Sequence, residues 1–534
     1  MLVQTAKYCA DAQTKEFRES RPMVGWLNNF KRDESGVLVV FSVFFFLIIL
    51  LVGGLGVDIM RTEMTRTRLQ HAADNAALAA ADLDQILDPT AVVTDYFTKA
   101  GMASYLDGVT VDEGLGYRIV DVDVSTTINT QLIHMVGIDT MSIGAASTAE
   151  ERIDSVEISL VLDISGSMGS NSRLTNLKVA AKEFVDTIMD TSAPGKVSIS
   201  IVPYATQVSA GPTLLAQYNV TAEHSYSDCV NFVSTDFSNT SLSTADQLQR
   251  TGPFDVWSYS TDPITYPVCN VDTASDIRAL SMDRAVLKAQ IDSLVAGGNT
   301  SIDVGMKWGT VLLDPGTQGV ISNLIAGGSV PAEFAGRPVA YDSNDTLKVI
   351  VLMTDGQNTS QYYLTDDYRS GNSNVWYNAQ KNRYSIYYPS HSGSNDYYWP
   401  HNGDWEDHPY GDNESGTAVR MTFPQLWNQV SVLWNYYYNY RPIMGSAAAN
   451  AWYYDVWDYV GSGTKNARLN TICGAAKTNG VVVYSIGFEA PAGGQSVLQS
   501  CASSDSHYYD VDGIEIRQAF SAIASSIRKL KLTN

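Results

Sequence analysis

The sequence predicts an α/β protein in which a single transmembrane helix and a small strand-rich module precede a doubly wound parallel sheet with large insertions. Residues 37–57 form an uncharged apolar run that is long enough to cross a membrane. Beyond residue 154, short apolar runs rich in Val, Ile and Leu alternate with segments of helical period. Such alternation is typical of a parallel sheet covered by helices on both faces.

Composition limits the classes of protein and of partner. A chain of 534 residues has room for two or three domains. Its net charge of −22 repels phosphate backbones and argues against nucleic acid as a partner. With 45% hydrophobic and only 17% charged residues, most of the chain is expected to fold.

The apolar run, residues 37–57, is 21 residues long and would span about 31 Å as a helix. The polar residues Asp58 and Arg61 follow it directly, where a cleaved signal would have a small-residue cleavage site. We therefore expect an uncleaved, single-pass anchor. Residues 1–36 carry more Lys and Arg than the stretch beyond the helix, which predicts a cytoplasmic tail and places the bulk of the chain outside the cytoplasm.

The cysteines agree with that orientation. Cys9 precedes the apolar run, and the other four follow it in a compartment that permits disulfides. Four cysteines allow three connectivities, and free thiols are a further alternative. We expect the pairs Cys473–Cys501 and Cys229–Cys269.

Between the anchor and residue 154 we expect two segments. Residues 58–88 are rich in Ala with apolar positions three to four apart, which predicts an extended periplasmic helix. Pro89 marks its end or a turn. Residues 89–153 are predicted to be a strand-rich linker module, because residues 105–150 alternate with β-branched side chains.

Residues 154–534 are expected to form the main domain. The predicted strands are Val156–Asp163, Val197–Tyr204, Leu347–Met353 and Val481–Phe488. The predicted helices are Leu174–Met189, Ile277–Leu294, Ile302–Leu313 and Ile514–Leu530. Two stretches, at about 206–274 and 360–460, interrupt this rhythm as insertions, and a structureless loop of the second one's length is unlikely in a compact domain. The second contains 17 of the 30 tyrosines and 7 of the 10 tryptophans, and we expect it to fold.

Side chains with carboxylate or hydroxyl oxygens occur at three places along this domain. Asp163, Ser165 and Ser167 come at the end of the first predicted strand, Thr300 follows two glycines, and Asp355 follows the strand Leu347–Met353. In parallel sheets, ligands bind beyond the carboxyl ends of the strands. Carboxylate and hydroxyl oxygens suit a hard divalent cation, Mg²⁺ or Mn²⁺, rather than zinc or copper.

This pattern resembles the metal-ion-dependent adhesion site (MIDAS) of von Willebrand factor type A (VWFA) domains, which have a Rossmann-like sheet. The resemblance covers residues 154–205, 275–357 and 466–530. It implies that the hydroxyls of Ser165, Ser167 and Thr300 coordinate Mg²⁺ or Mn²⁺ directly or through water. It also implies that the carboxylates of Asp163 and Asp355 hold waters around the ion. It also implies that a protein partner supplies a carboxylate as the last ligand.

The N-terminal region resembles the TadG family, which assembles tight-adherence (Flp) pili in bacteria. The resemblance rests on residues 32–36, 56–59 and 69–79, and it implies a bacterial inner-membrane protein whose bulk is periplasmic or exposed at the cell surface. Phe41 stands where a prepilin-peptidase substrate has Glu, so we expect the helix to remain an anchor. The Ala-rich helix is either a spacer or a pilin-like assembly element.

Two weaker patterns are present. The loop His401–His408 crowds His and carboxylates without a metal-site spacing, so a solvated loop is preferred there, as it is for Asp121, Asp123 and residues 342–345. The aromatic insertion at 360–460 is expected either to bind sugar rings or a protein, or to be an ordinary core.

We therefore expect a membrane-anchored pilus-assembly or adhesion protein that binds a protein partner through a divalent cation. Other pilus-assembly components are candidates for that partner. The alternative is a surface adhesin that meets host, matrix or glycan through the aromatic insertion; a filament subunit and a metal-dependent hydrolase are further alternatives. An enzyme is not expected, because Ser167 lies outside a G-x-S-x-G elbow and the chain has no Walker loop.

Overall fold

The computed structural model describes residues 37–82, 85, 87–114, 117–152, 155–190, 195–259, 264–343 and 345–529. The predicted cytoplasmic tail, residues 1–36, lies outside these described residues. The chain forms two compact units: the first holds the N-terminal helices and most of a three-stranded sheet, and the second holds residues 150–534 with two short segments from before them.

The first unit begins with one long helix, Val37–Ala81. In the described part of the chain this is the helix that is long and apolar enough to cross a membrane. The side chains of its apolar half are exposed, as expected of a segment that faces lipid. The helix runs past Val57, as the sequence indicates, but ends at Ala81 and not at residue 88.

A second helix, Pro89–Lys99, occupies the start of the segment expected to be strand-rich. That prediction is wrong for these residues because Pro89 is well placed in a helix's first turn, where its missing N–H costs nothing. The Asp88 side chain caps the helix by accepting a hydrogen bond from the N–H of Ala91 at 3.1 Å. The three strands come later, at Leu106–Gly114, Tyr117–Asn129 and Thr140–Arg152, in that spatial order.

Asp58 joins the long helix to the loop after the second strand of this unit. Its carboxylate accepts hydrogen bonds from the backbone N–H groups of Gln131, Leu132 and Ile133 at 2.9, 2.8 and 2.9 Å. Three charge-assisted bonds to one buried carboxylate fix the loop against the helix.

The second unit is built on a six-stranded sheet, whose strands are named β1 to β6 in chain order. They are β1 Ser155–Asp163, β2 Val197–Tyr204, β3 Arg278–Ser281, β4 Thr346–Thr354, β5 Val482–Phe488 and β6 Tyr508–Val511. The spatial order is β6-β5-β4-β1-β2-β3, with β3 antiparallel to β2 and the other pairs parallel. This is the doubly wound order, so the predicted fold class is confirmed.

Period-two alternation along the strands divides the core into two layers. In β1, Leu160 faces one layer and Val161 the other, and in β4 Ile350 and Val351 do the same. Helices cover both layers, and β1, β2, β4 and β5 are accordingly buried on both faces. The helices are Arg173–Met189, Gly211–Leu215, Arg284–Ser293, Ile302–Val311, Gln318–Ala326, Ser462–Thr478, Ala492–Cys501 and Ile516–Lys529.

The predicted helix Ile277–Leu294 is wrong in its first third. Residues 278–281 form the edge strand β3, with the N–H of Leu280 donating to the hydroxyl of Ser200 at 3.0 Å. The helix starts only at Arg284, after Asp283 caps it. Pairing with β2, a contact distant in sequence, overrides the local helical period here.

The first insertion, residues 206–274, packs onto the same domain. Its short strands are Val230–Asn231 and Gln249–Arg250, and the disulfide Cys229–Cys269 closes it. Phe232 packs edge to face on Trp308, 5.9 Å between ring centroids. The second disulfide, Cys473–Cys501, joins two helices, so both expected pairs are bonded in the structure.

The second insertion is folded, and its core around Trp427 and Tyr440 is shared with Phe254, Val256 and Val268 of the first insertion. A two-stranded ribbon, Gln361–Leu364 with Trp457–Val460, closes its base. Its five-stranded antiparallel sheet consists of Asn372–Asn378, Arg383–Tyr387, Tyr397–Trp399, Asp404–Glu406 and Val419–Thr422. Its helical segments are Phe423–Gln429, Val432–Trp434, Asn435–Tyr440, Arg441–Met444 and Asn450–Tyr454, the third and fifth of them π-helical.

Candidate metal-binding site

The candidate site begins at the carboxyl end of β1 with Asp163, whose side chain is fully buried. One carboxylate oxygen accepts the N–H of Ser165 at 2.7 Å, and the other accepts the hydroxyl of Thr354 at 2.5 Å. Asp163 therefore holds the loop after β1 against the end of β4.

Of the two serines of this loop, Ser167 contacts Asp355 and Ser165 lies beside Ser167. The hydroxyl oxygens of Ser165 and Ser167 are 3.1 Å apart, and the Ser167 hydroxyl donates to Asp355 at 2.7 Å. A 3-10 turn, Gly166–Gly169, produces this geometry by turning the loop directly after Ser165.

Thr300 reaches the same place from the loop before helix Ile302–Val311. Its hydroxyl oxygen would lie 3.7 Å from a Cβ built on Gly356, and that of Ser167 would lie 3.9 Å from the same point. The preceding Gly298 has φ +81°, and a side chain there would meet the Thr206 hydroxyl at 2.8 Å, so glycine is required.

The structure thus brings all five sequence-predicted residues together. Burial, together with the negative charge of nearby Asp355, raises the pKa of Asp163 to about 7. Burial also raises the pKa of Asp355, against the opposing effect of its hydrogen bond from Ser167. Two carboxylates held close together and away from water favour a compensating cation.

The donor set fits a hard divalent cation. Two carboxylates and three hydroxyls supply oxygen alone, as Mg²⁺ and Mn²⁺ prefer. Over the described ranges, no three His, Cys, Asp or Glu side chains form a group able to hold a metal ion, so the hydroxyls are essential to this interpretation. The residues that would hold the ion are Asp163, Ser165, Ser167, Thr300 and Asp355.

Arg173 is a member of the site that the sequence analysis missed. Its guanidinium lies 2.9 Å from the second oxygen of Asp355 and 2.7 Å from Glu489, which follows β5. The hydrogen bond from Arg173 lowers the pKa of Glu489. Its place at the start of the first helix after the serine loop is the only local signal, and it points equally to a solvated helix end.

Lys465 is the second residue that the sequence analysis missed. Its buried ammonium donates to the carbonyls of Thr300 and Thr359, each at 2.7 Å, and to the Ser301 hydroxyl at 2.6 Å. Burial lowers its pKa to about 8, although Asp303 at 3.9 Å opposes the shift. Lys465 thereby fixes the backbone that presents Thr300.

The weaker candidates are engaged in local contacts. The His408 ring lies 2.6 Å from Asp407 and 3.3 Å from Glu414, whereas His401 packs on Trp399. Asp121 accepts a hydrogen bond from Thr148 at 2.5 Å.

Residues 36–83 match the Tad family model, described as Flp pilus-assembly TadE/G-like. No curated protein matches the chain. The vWF domain of the type V pili tip protein Mfa5 from Porphyromonas gingivalis is 15% identical, with 72% of this chain and 98% of that chain covered and a TM-score of 0.32.

Two further solved structures are similar at the same low level. The adhesive tip pilin GBS104 from Group B Streptococcus agalactiae is 14% identical, with 70% of this chain and 100% of that one covered and a TM-score of 0.30. For the pilus adhesin RrgA from Streptococcus pneumoniae the identity is 12%, the coverage 78% and 47%, and the TM-score 0.26. The chain thus joins a segment that matches the TadE/G-like Flp pilus-assembly model, residues 36–83, to an α/β domain built on a doubly wound sheet.

Proposed function

We propose that this chain is a membrane-anchored pilus-assembly or adhesion protein whose VWFA-type domain binds Mg²⁺ or Mn²⁺ and, through the ion, a carboxylate of a protein partner. One observation carries the proposal. Side chains from three separate segments of the chain converge at the carboxyl edge of β1 and β4. They include those of Asp163, Thr300 and Asp355. The N-terminal match to pilus-assembly proteins supports the biological setting.

The chain's own residues prepare the site in two ways. Asp163 is held on both oxygens by loop and strand donors, so the loop keeps its shape without a partner present. The hydroxyls of Ser165 and Ser167 are uncharged oxygen ligands, so an ion held by them keeps much of its positive charge. The residual positive charge of a bound cation would attract a partner's carboxylate.

The proposal places the domain outside the cytoplasm. Residues 37–57 would span the bacterial inner membrane once, with residues 1–36 in the cytoplasm and the rest periplasmic or exposed at the cell surface. Two disulfides in the second unit support an oxidising compartment.

The test is capture of a partner by the full chain solubilised in detergent. Envelope proteins are offered with Mg²⁺, with EDTA and with the variant Asp163→Ala. Asp292→Ala is the matched control, because it removes a half-exposed carboxylate of the same domain that pairs with Lys182 and is not one of the five site residues. We expect a pilus component that is retained only with Mg²⁺ and an intact Asp163. Equal retention under all conditions would contradict the proposal.

A further inference from the structure

The second insertion contains a cavity that the adhesion-site proposal does not use. Its volume is about 430 Å³, within the range of pockets that bind one small ligand. It lies between the hairpin of strands Arg383–Tyr387 and Tyr397–Trp399 and the π-helical segment Asn435–Tyr440. Its lining includes Arg383, Tyr384, His401, Gln429, Trp434 and Tyr438.

Aromatic rings form one wall of the cavity. The Trp434 ring lies 5.3 Å from that of Tyr384 and 5.0 Å from that of Tyr438. Tyr438 is 43% exposed and stacks on Tyr259 at 5.9 Å, so the aromatic surface continues outward from the cavity mouth. Exposed aromatic faces bearing polar tips offer apolar contact and hydrogen bonds together, the combination that a sugar ring's C–H face and hydroxyls require.

Amide side chains lie beside the aromatic wall of the cavity. Asn439 is fully buried, and its amide nitrogen donates to Asn435 at 2.8 Å. Its side-chain oxygen has no hydrogen-bond partner within the described structure. Because this oxygen has no accessible surface, a ligand in the cavity does not contact it. Gln429, whose amide nitrogen donates to the Tyr384 hydroxyl at 2.8 Å, adds a further amide to the lining.

The charge of the lining indicates the kind of sugar. Arg383 is a cation in the lining, and no Asp or Glu accompanies it, although the whole chain carries −22. Burial lowers the pKa of His401, and the nearby charge of Arg383 lowers it further, against the opposing charge of Asp404. A guanidinium beside neutral amides suits an anionic group of the ligand.

We propose that this cavity binds a saccharide whose ring bears a carboxylate, a uronic or sialic acid. The ring packs on Trp434 and Tyr438, a ring hydroxyl meets the amide of Gln429, and the carboxylate meets Arg383. This binding is independent of the cation site at Asp163.

The test uses the full chain in detergent on an array of glycans that end in neutral hexoses, in glucuronic or galacturonic acid, or in N-acetylneuraminic acid. EDTA is present throughout, so that binding at the cation site does not contribute. We expect binding to one of the two acidic classes, at least tenfold tighter than to the neutral glycans. The class that binds identifies the acid.

Two pairs of variants assign the binding to this cavity. Arg383→Gln is expected to weaken binding to the acidic glycan at least tenfold, whereas Lys381→Gln, which removes an exposed charge beside the same hairpin, leaves it unchanged. Tyr438→Ala is expected to lose binding, and Tyr438→Phe, which keeps the ring, to retain it. No binding to any acidic glycan, equal binding to neutral and acidic glycans, or unchanged binding in Arg383→Gln would overturn the proposal.

Discussion

The guanidinium of Arg173 lies 2.9 Å from the carboxylate of Asp355, on the side of Asp355 opposite the oxygen that accepts the Ser167 hydroxyl. A fixed positive charge therefore stands beside a proposed ligand of a divalent cation. The ion pair holds Asp355 in place, and the same charge repels the cation that Asp355 would help to bind.

We predict that Arg173→Gln binds Mg²⁺ more tightly than the wild type. Removing one repelling charge near the surface is worth about 1 kcal/mol, roughly fivefold in affinity. Calorimetric titration measures it, with Lys182→Gln on the same helix as the control, since that residue pairs with Asp292 instead. Weaker binding in Arg173→Gln would mean that orientation of Asp355 outweighs the repulsion.

Lys465→Met is predicted to destabilise the second unit by about 3 kcal/mol or more, because it leaves Asp303 and two carbonyls buried without their cation. The free energy of unfolding in urea measures the loss. Lys477→Met on the same helix is the control, and its two carbonyl partners near the surface predict a cost of about 1 kcal/mol. Equal costs for the two variants would show that Lys465 is not a support of the Thr300 loop.

The first insertion is predicted to lose stability in mild acid through His224. Burial lowers the pKa of this side chain from 6.5 to about 4, and the charges of Arg250 and Arg369 add to the effect. Below about pH 6.5 His224 binds a proton in the unfolded chain but not in the folded chain. The free energy of unfolding therefore falls as the pH drops from about 6.5 towards 4.

His224→Phe should flatten this pH dependence, as measured by the melting temperature between pH 7.5 and 4.5. Phe keeps the ring that stacks on Tyr226 at 5.9 Å but cannot take the proton. An identical acid-induced decline in the variant and the wild type would show that other groups cause it.

Asp58→Asn is predicted to loosen the loop of the first unit. An amide presents one acceptor oxygen in place of two, so the three backbone N–H groups of Gln131, Leu132 and Ile133 lose part of their hydrogen bonding. Faster hydrogen exchange at Leu132 and Ile133 is the expected result. Asp95→Asn, an exposed carboxylate paired with Lys99, is the control and should leave both rates unchanged.

The sequence predicted what short-range patterns determine. The strand Val156–Asp163 and its serine loop follow from an apolar run and polar residues spaced along one turn, and the structure has both. Arg173 and Lys465 escaped because their partners, Asp355 and Thr300, are about 180 and 165 residues away. Nothing local distinguishes these two cations from ordinary surface charges.

The errors have a similar origin. β3 was predicted as helix because its residues are compatible with a helical period, and pairing with β2 decides the outcome. The fold of the aromatic insertion was not predictable, because its short strands, such as Tyr397–Trp399, show no sustained period. They form one sheet only by pairing with one another.

The most direct test of the central claim is titration of the full chain with Mn²⁺, followed by electron paramagnetic resonance of the free ion. We expect one Mn²⁺ per chain that Mg²⁺ displaces, with binding lost in Asp163→Ala and in Thr300→Val and kept in Asp292→Ala. If the wild type and Asp163→Ala bound the same amount of Mn²⁺ with the same affinity, the five residues would not form the cation site and the account would be wrong.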